Sequence, residues 1–455
     1  MAKRNEKLTV LGKQALQDSI IYYNDCPVGT VAARDSSSDP LNYDQCFMRD
    51  FIPCGITFLM QGETEIVRHF LTETLKLQIK QRQLDFLEPG RGIMPASFKV
   101  SYQQEKQYLK ADFGNDAIGR VTPVDSGLWW LFLLRSYVKY TNDYAFSHSS
   151  EVQKCIRLIM ELCLSARFDM FPTLLVPDGS CMIDRRMGIE GYPLEIQSLF
   201  YMALKVASEL LLDTEENDRI NKAVHNRLNP LATHIRQNYW LDLTQMNTIY
   251  RYKGEEYGEG ALNQFNIYSD SIPYTQLSEW LPEDGGYLAG NLGPSLLDCR
   301  FFSLGNLVAI LSSLTENWQS QAIMNVIEQK WEDLIGYMPM KICFPALKDR
   351  DWQLITGCDP KNRPWSYHNG GNWPVLLWLL VASAIKTQRV ELGQRAIEIA
   401  AKRLLKDEWP EYYDGKNGRL VGKEARKYQT WTIAGFLVAQ GLMENPQFLE
   451  YISFE

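Results

Sequence analysis

Five stretches of the chain gather carboxylates, guanidinium groups, amides and aromatic rings more densely than a connecting loop requires. That mixture suits a polyhydroxylated ring. Carboxylates and amides bond hydroxyls, aromatic faces cover the apolar faces of the ring, and two carboxyl groups can cleave an acetal by acid–base work. Residues 42–51, NYDQCFMRDF, set Arg49 and Asp50 at the head of an apolar run, where an Asp also meets the positive end of a helix dipole. In residues 112–130, DFGNDAIGRVTPVDSGLWW, Asp125 and Ser126 either cap the next helix or line its mouth together with Trp130. Residues 171–201 carry Asp184, followed by Arg185 and Arg186; neighbouring guanidinium groups lower a carboxyl pKa, the wrong direction for a general acid, and a surface ion pair is the plainer alternative. Glu195 and Gln197 open the following helix, as caps or as sugar contacts. Residues 357–378 hold Trp365, Tyr367, His368, Asn369, Gly370, Gly371, Asn372 and Trp373; turn chemistry accounts for the glycines and for Pro374 but not for the rings. In residues 408–431, Glu411 lies among Trp409, Tyr412 and Tyr413, an apolar setting that raises a carboxyl pKa. Arg426 and Gln429 precede the last apolar run, and Asp414-Gly415 reads as a turn.

The elements that must hold these stretches are helical. Apolar residues recur at spacings of three and four over 12–23, 52–60, 63–83, 126–140, 152–166, 194–212, 217–240, 301–314, 318–335, 373–386, 390–405 and 430–443, and period-two alternation is rare. LWWLFLL at 128–134 and PVLLWLLVA at 374–382 are apolar all round, so they belong inside. The connections 84–125, 167–193, 254–300, 341–372 and 406–429 are long, as functional loops are. No fixed repeat and no linker divides the chain. The expectation is one all-α domain over residues 1–455, with paired helices arranged as a toroid and the long loops at one end; 213–245 is a candidate helical excursion.

Composition narrows the function. Forty-seven basic against 55 acidic residues give a net charge of −8, without the basic face that nucleic acid demands. The nine cysteines are scattered and form no CxxC, which fits reduced thiols in the cytoplasm better than zinc or a disulfide framework. Five histidines in no spaced pair give no expectation of a metal, and no cofactor motif is present: no GxGxxG after a strand, no P-loop, no HExxH and no GxSxG. MAKRNEKLTV lacks a following apolar region, so no secretory signal is expected, and the apolar run 373–385 is short of the ~20 residues that span a bilayer.

The five stretches, in this order and over residues ~40–440, closely resemble the neutral/alkaline invertases of cyanobacteria and plants. The carriers are NYDQCFMRDF, AIGRVTPVDSGLWW, FPTLLVPDGSCMIDRRMGI, GCDPKNRPWSYHNGGNWPVLLW and WPEYYDGKNGRLVGKEARKYQTW. The resemblance implies an (α/α)6 barrel like that of the trehalase group, splitting sucrose into glucose and fructose in the cytoplasm. It implies Asp184 as general acid, Glu411 as general base and Arg426 as a sugar contact, with Arg49, Asp50, Asp125, Trp130, Gln197, His368 and Trp373 around them. A single-step inversion then requires the two carboxyl groups ~6.5–9.5 Å apart. Another helical-barrel enzyme, a trehalase or sugar epimerase, is the alternative, followed by a non-catalytic sugar-binding scaffold. Self-association into a homo-oligomer is the expected assembly.

Overall fold

The computed structural model describes residues 2–36, 42–81, 90–115, 123–166, 168–176, 181–183, 185–251, 273–293, 296–420 and 425–455. Among these, twelve helices build two layers. Six are apolar on nearly every side and form the inner layer: α2 (Phe51–Met60), α4 (Asp125–Thr141), α6 (Leu194–Leu210), α8 (Ser303–Leu311), α10 (Leu377–Lys386) and α12 (Thr430–Glu444). In α2 every residue but Met60 is buried, and in α8 every residue is. A helix without a polar face can only sit between other elements. Each packs on two of its own kind, in the order α2, α4, α6, α8, α10, α12 and back to α2, so the ring closes.

The other six bury one stripe each and cover the ring from outside: α1 (Ala2–Gln17), α3 (Thr64–Leu77), α5 (Ser150–Cys163), α7 (Asp218–Asn238), α9 (Asn317–Gln329) and α11 (Val390–Arg403). Helix α3 lies on α2 and α4, α7 lies on α6, and α11 lies on α10 and α12. Inner and outer helices alternate along the chain, which is the (α/α)6 toroid. Within segment 213–245, α7 takes the outer place opposite α6, because its buried residues Ile220, Val224, Leu231 and Ile235 fall on one helical stripe.

Helical periodicity nevertheless claimed too much of the chain. Among the described residues, four small antiparallel sheets crown the barrel. Ile20–Tyr23 leaves the helix expected over 12–23 and pairs with Cys26–Thr30. Ser97–Gln103 and Lys106–Asp112 form a hairpin edged by Cys46–Phe47. Tyr287–Gly293 and Leu296–Phe302 form another, so that Phe301 and Phe302 end a strand rather than begin a helix. The 287–302 hairpin runs directly into the head of α8, and Cys46–Phe47 precedes that of α2. At the opposite end of the ring, Phe454 is buried. Its carbonyl accepts from Lys386 Nζ at 2.7 Å, its amide donates to Leu311 O at 2.9 Å, and the Arg135 guanidinium lies 3.8 Å over its ring.

Candidate active site

The inner helices all start at the same end of the ring. A cavity there is lined by Arg49 and Ile52 beside α2, Trp129 of α4, Leu304 of α8, Trp378 of α10 and Trp431 of α12, together with Met182. Six helix N-termini around one space bring a positive potential and unpaired amides, a setting in which carboxylates stay buried at reduced cost.

Among the described residues, four carboxyl groups cluster around Arg49 and Asp50. Arg49 Nε reaches Asp125 Oδ2 at 2.5 Å, and although burial works against the guanidinium, that carboxylate holds it charged. Asp125 is buried and its Oδ1 has no hydrogen-bond partner among the described residues. Asp50 stands at the N-cap of α2 but makes no side-chain capping bond. Burial drives its pKa to about 7 against the pull of Arg49, with Glu411 and Asp125 adding to the rise. Glu195, on the first turn of α6, has its pKa raised to about 7, again by burial against Arg49. Its Oε1 accepts the Met182 amide at 2.7 Å, while Oε2 is unpartnered among the described residues.

Glu411 is the fourth. It is buried, its pKa is raised by burial, and Lys361, Tyr43 and Arg426 act in the opposite direction. The Tyr43 hydroxyl donates to both of its oxygens, at 3.1 and 3.2 Å, and its amide donates to Arg426 O at 2.8 Å. Arg426 lays its guanidinium 5.2 Å over the Tyr43 ring and keeps Nη1 buried without a partner among the described residues. The loop bearing Glu411 is zipped to the one before α10: Asn372 and Tyr413 exchange both backbone hydrogen bonds, at 2.9 and 2.8 Å, and Gly415 N donates to Trp365 O at 2.8 Å. Gly415 must lack a side chain, since a Cβ there would fall 1.7 Å from Gly370 O. This zipper stacks Tyr412 on Trp373 at 5.5 Å and sets His368 against the other side of the cluster, 4.8 Å from Trp373. Asp414 accepts the amides of Lys416 and Asn417 at 2.9 Å, the turn its Asp-Gly sequence predicts.

Of the residues singled out from sequence, Arg49, Asp50, Asp125, Glu411, Arg426, His368 and Trp373 surround this mouth. Asp184 lies outside the described residues. Beside it, Met182 and Ile183 are buried, and Arg186 is drawn to Asp359 at 3.1 Å. Trp130 and Gln197 are not brought to the cluster. The Trp130 indole is fully buried and donates to Thr74 of α3 at 3.0 Å, and Gln197 spends both its polar atoms on the Leu174 backbone, at 3.0 and 2.8 Å. Their helical neighbours stand closer: Trp129, which lines the cavity and whose Nε1 has no partner among the described residues, and Glu195, beside Arg49 and Asp125. Helical spacing carries that signal, because Trp129 is four residues from Asp125 and shares its face, whereas Gln197 is two from Glu195 and points away. Tyr43 and Lys361 lie within the stretches 42–51 and 357–378, yet neither was singled out there as a partner of Glu411.

The same architecture occurs in solved glycosidases. A wild-type glycosidase superposes with a TM-score of 0.61 at 11% identity over 99% of this chain and 98% of its own. A GH63 mannosylglycerate hydrolase from Thermus thermophilus, solved with glucose, gives 0.53 at 11% identity over 95% of this chain and 99% of its own. The class is thus that of helical-toroid proteins sharing the glycosidase (α/α)6 fold. Sequence comparison is more specific. The profile of the alkaline and neutral invertase family matches residues 12–446. Cytosolic invertase 1 of Oryza sativa subsp. japonica is 55% identical over 97% of this chain and 79% of its own length. The probable alkaline/neutral invertase A, chloroplastic, of Arabidopsis thaliana is 54% identical over 97% and 71%. This chain belongs to the alkaline and neutral invertase family.

Proposed function

We propose that this protein hydrolyses sucrose to glucose and fructose by single-step inversion, with Asp184 as the acid and Glu411 as the base. The observation that carries the proposal is Glu411 itself: a buried carboxyl at the mouth of the toroid, oriented by Tyr43 and flanked by Arg426, in a chain 52–55% identical to eight invertases. Asp184 gives its proton to the bridging oxygen as the bond to the glucosyl anomeric carbon breaks. Glu411 takes a proton from the water that attacks that carbon from the opposite face. Arg426, Arg49, Asp50 and Asp125 offer donors and acceptors to the hydroxyls, and the stacked rings of His368, Trp373 and Tyr412 back the loop that carries Glu411. We place the whole chain in one catalytic domain. The cytoplasm is its proposed compartment, by analogy with the rice relative named cytosolic, and a homo-oligomer is its proposed assembly.

A disaccharide panel with anomer detection tests this reading. Sucrose should be cleaved in preference to trehalose, and proton NMR of fresh product should show β-glucose first; α-glucose first overturns inversion. Asp184→Asn and Glu411→Gln should each lower kcat on sucrose by about 10³-fold or more while sucrose still binds. Loss of binding with turnover intact would make either residue a ligand contact instead.

A further inference from the structure

Glu195 does more than the reaction above asks of it. It sits in the first turn of α6, 3% exposed, with Arg49, which lines the cavity, and Asp125 as its charged neighbours. Oε1 is tied to the Met182 amide at 2.7 Å. Met182 stands two residues before Asp184 in the sequence, so this carboxylate holds the chain just ahead of the proposed acid. Oε2 is buried and finds no donor among the described residues. Folded proteins rarely leave a buried carboxylate oxygen unmet, and a catalytic role is one reason they do. A second such oxygen, Asp125 Oδ1, belongs to the same group around Arg49.

We propose that Glu195 joins two tasks in one carboxylate: Oε1 positions the segment that carries the acid, and Oε2 accepts a hydroxyl of the glucosyl unit. The proposal rests on Asp184 being the acid. A sugar lacking that hydroxyl then loses a bond and also loosens the group that protonates the leaving fructose. Glu195 acts on bond cleavage through Asp184, as a positioning residue, and touches only the non-reacting part of the sugar.

The test compares sucrose with α-glucosyl fluoride, whose leaving group needs no proton. Glu195→Ala should lose about 100-fold in kcat on sucrose and less than about 10-fold on the fluoride. Glu195→Gln, which keeps a carbonyl for Met182, should recover most of the sucrose loss and serves if the alanine variant fails to fold. An equal loss on both substrates overturns the positioning role. For the hydroxyl, the four monodeoxy α-glucosyl fluorides are assayed on wild type and Glu195→Gln. One of them should lose about 10-fold or more in kcat/KM on wild type and less than about 3-fold on the variant. If all four penalties are the same in both proteins, Oε2 binds no hydroxyl and the coupling is wrong. Asp184→Asn on the same fluoride separates the underlying reading: recovery there supports Asp184 as acid, and continued inactivity means that the acid, rather than the hydroxyl contact, has been misassigned.

Discussion

The residues at the mouth trade stability for function, and pH exposes the trade. Asp50 has a pKa of about 7 in the folded protein, against ~3.9 for an unfolded Asp. Between those values the folded state holds a proton that the unfolded state releases. Its contribution to stability therefore falls as pH rises from ~4 to ~7 and stays low above that range. Asp50→Asn should raise the thermal midpoint at pH 8 and leave it nearly unchanged at pH 4, while activity drops; calorimetry at the two pH values decides it. Tyr43 acts in the other direction on Glu411, since its hydroxyl favours the charged carboxylate. Tyr43→Phe should move the acid limb of the kcat profile to higher pH, and an unmoved limb would show that Tyr43 does not tune the base. None of this was legible in the sequence beyond the residue types. Trp409, Tyr412 and Tyr413 around Glu411 announced a desolvated carboxyl. The partner that orients it, Tyr43, sits 368 positions away and meets it only through folding.

At the scale of elements, sequence periodicity located the inner helices well, because a helix apolar on all sides has only one place to go. It missed the hairpin over residues 97–112 for a specific reason. The two-residue turn at Gln104 and Glu105 has φ of 46° and 68°, a conformation that usually declares itself through Asn-Gly. With long polar residues in that turn and mixed polarity in both strands, the region reads as loop. Within α4, helical phase separates Trp129 at the mouth from Trp130 against α3, and only the register to Asp125 tells the two apart. The zipper between the loops 365–372 and 411–415 is equally silent in sequence, although it sets the position of Glu411. Gly415→Ala must push the two loops apart by about an ångström or more, and a displacement of that size costs about 10²-fold in rate. The expected result is a folded protein, by circular dichroism, with kcat down by that factor; full activity would mean that the zipper does not set the geometry.

For the whole molecule, the two ends of the toroid divide the labour. Helix N-termini and carboxylates occupy the mouth, whereas Phe454 and the cations Arg135 and Lys386 close the floor where α8 and α10 end. Phe454→Ala should destabilise by about 3–5 kcal/mol while leaving kcat on sucrose intact below the melting temperature. A parallel loss of kcat in folded enzyme would couple the floor to the chemistry. The closed ring carries a further consequence for how the protein is made. Its seam joins α2 to α12, where Thr57 Oγ1 donates to Ala434 O across 377 positions of sequence. A ribosome delivers α2 long before α12 exists, so the apolar flank of α2 that faces the seam stays uncovered through nearly all of synthesis. The nascent chain therefore presents a sticky hydrophobic surface that only release, or a chaperone standing in for α12, can cover.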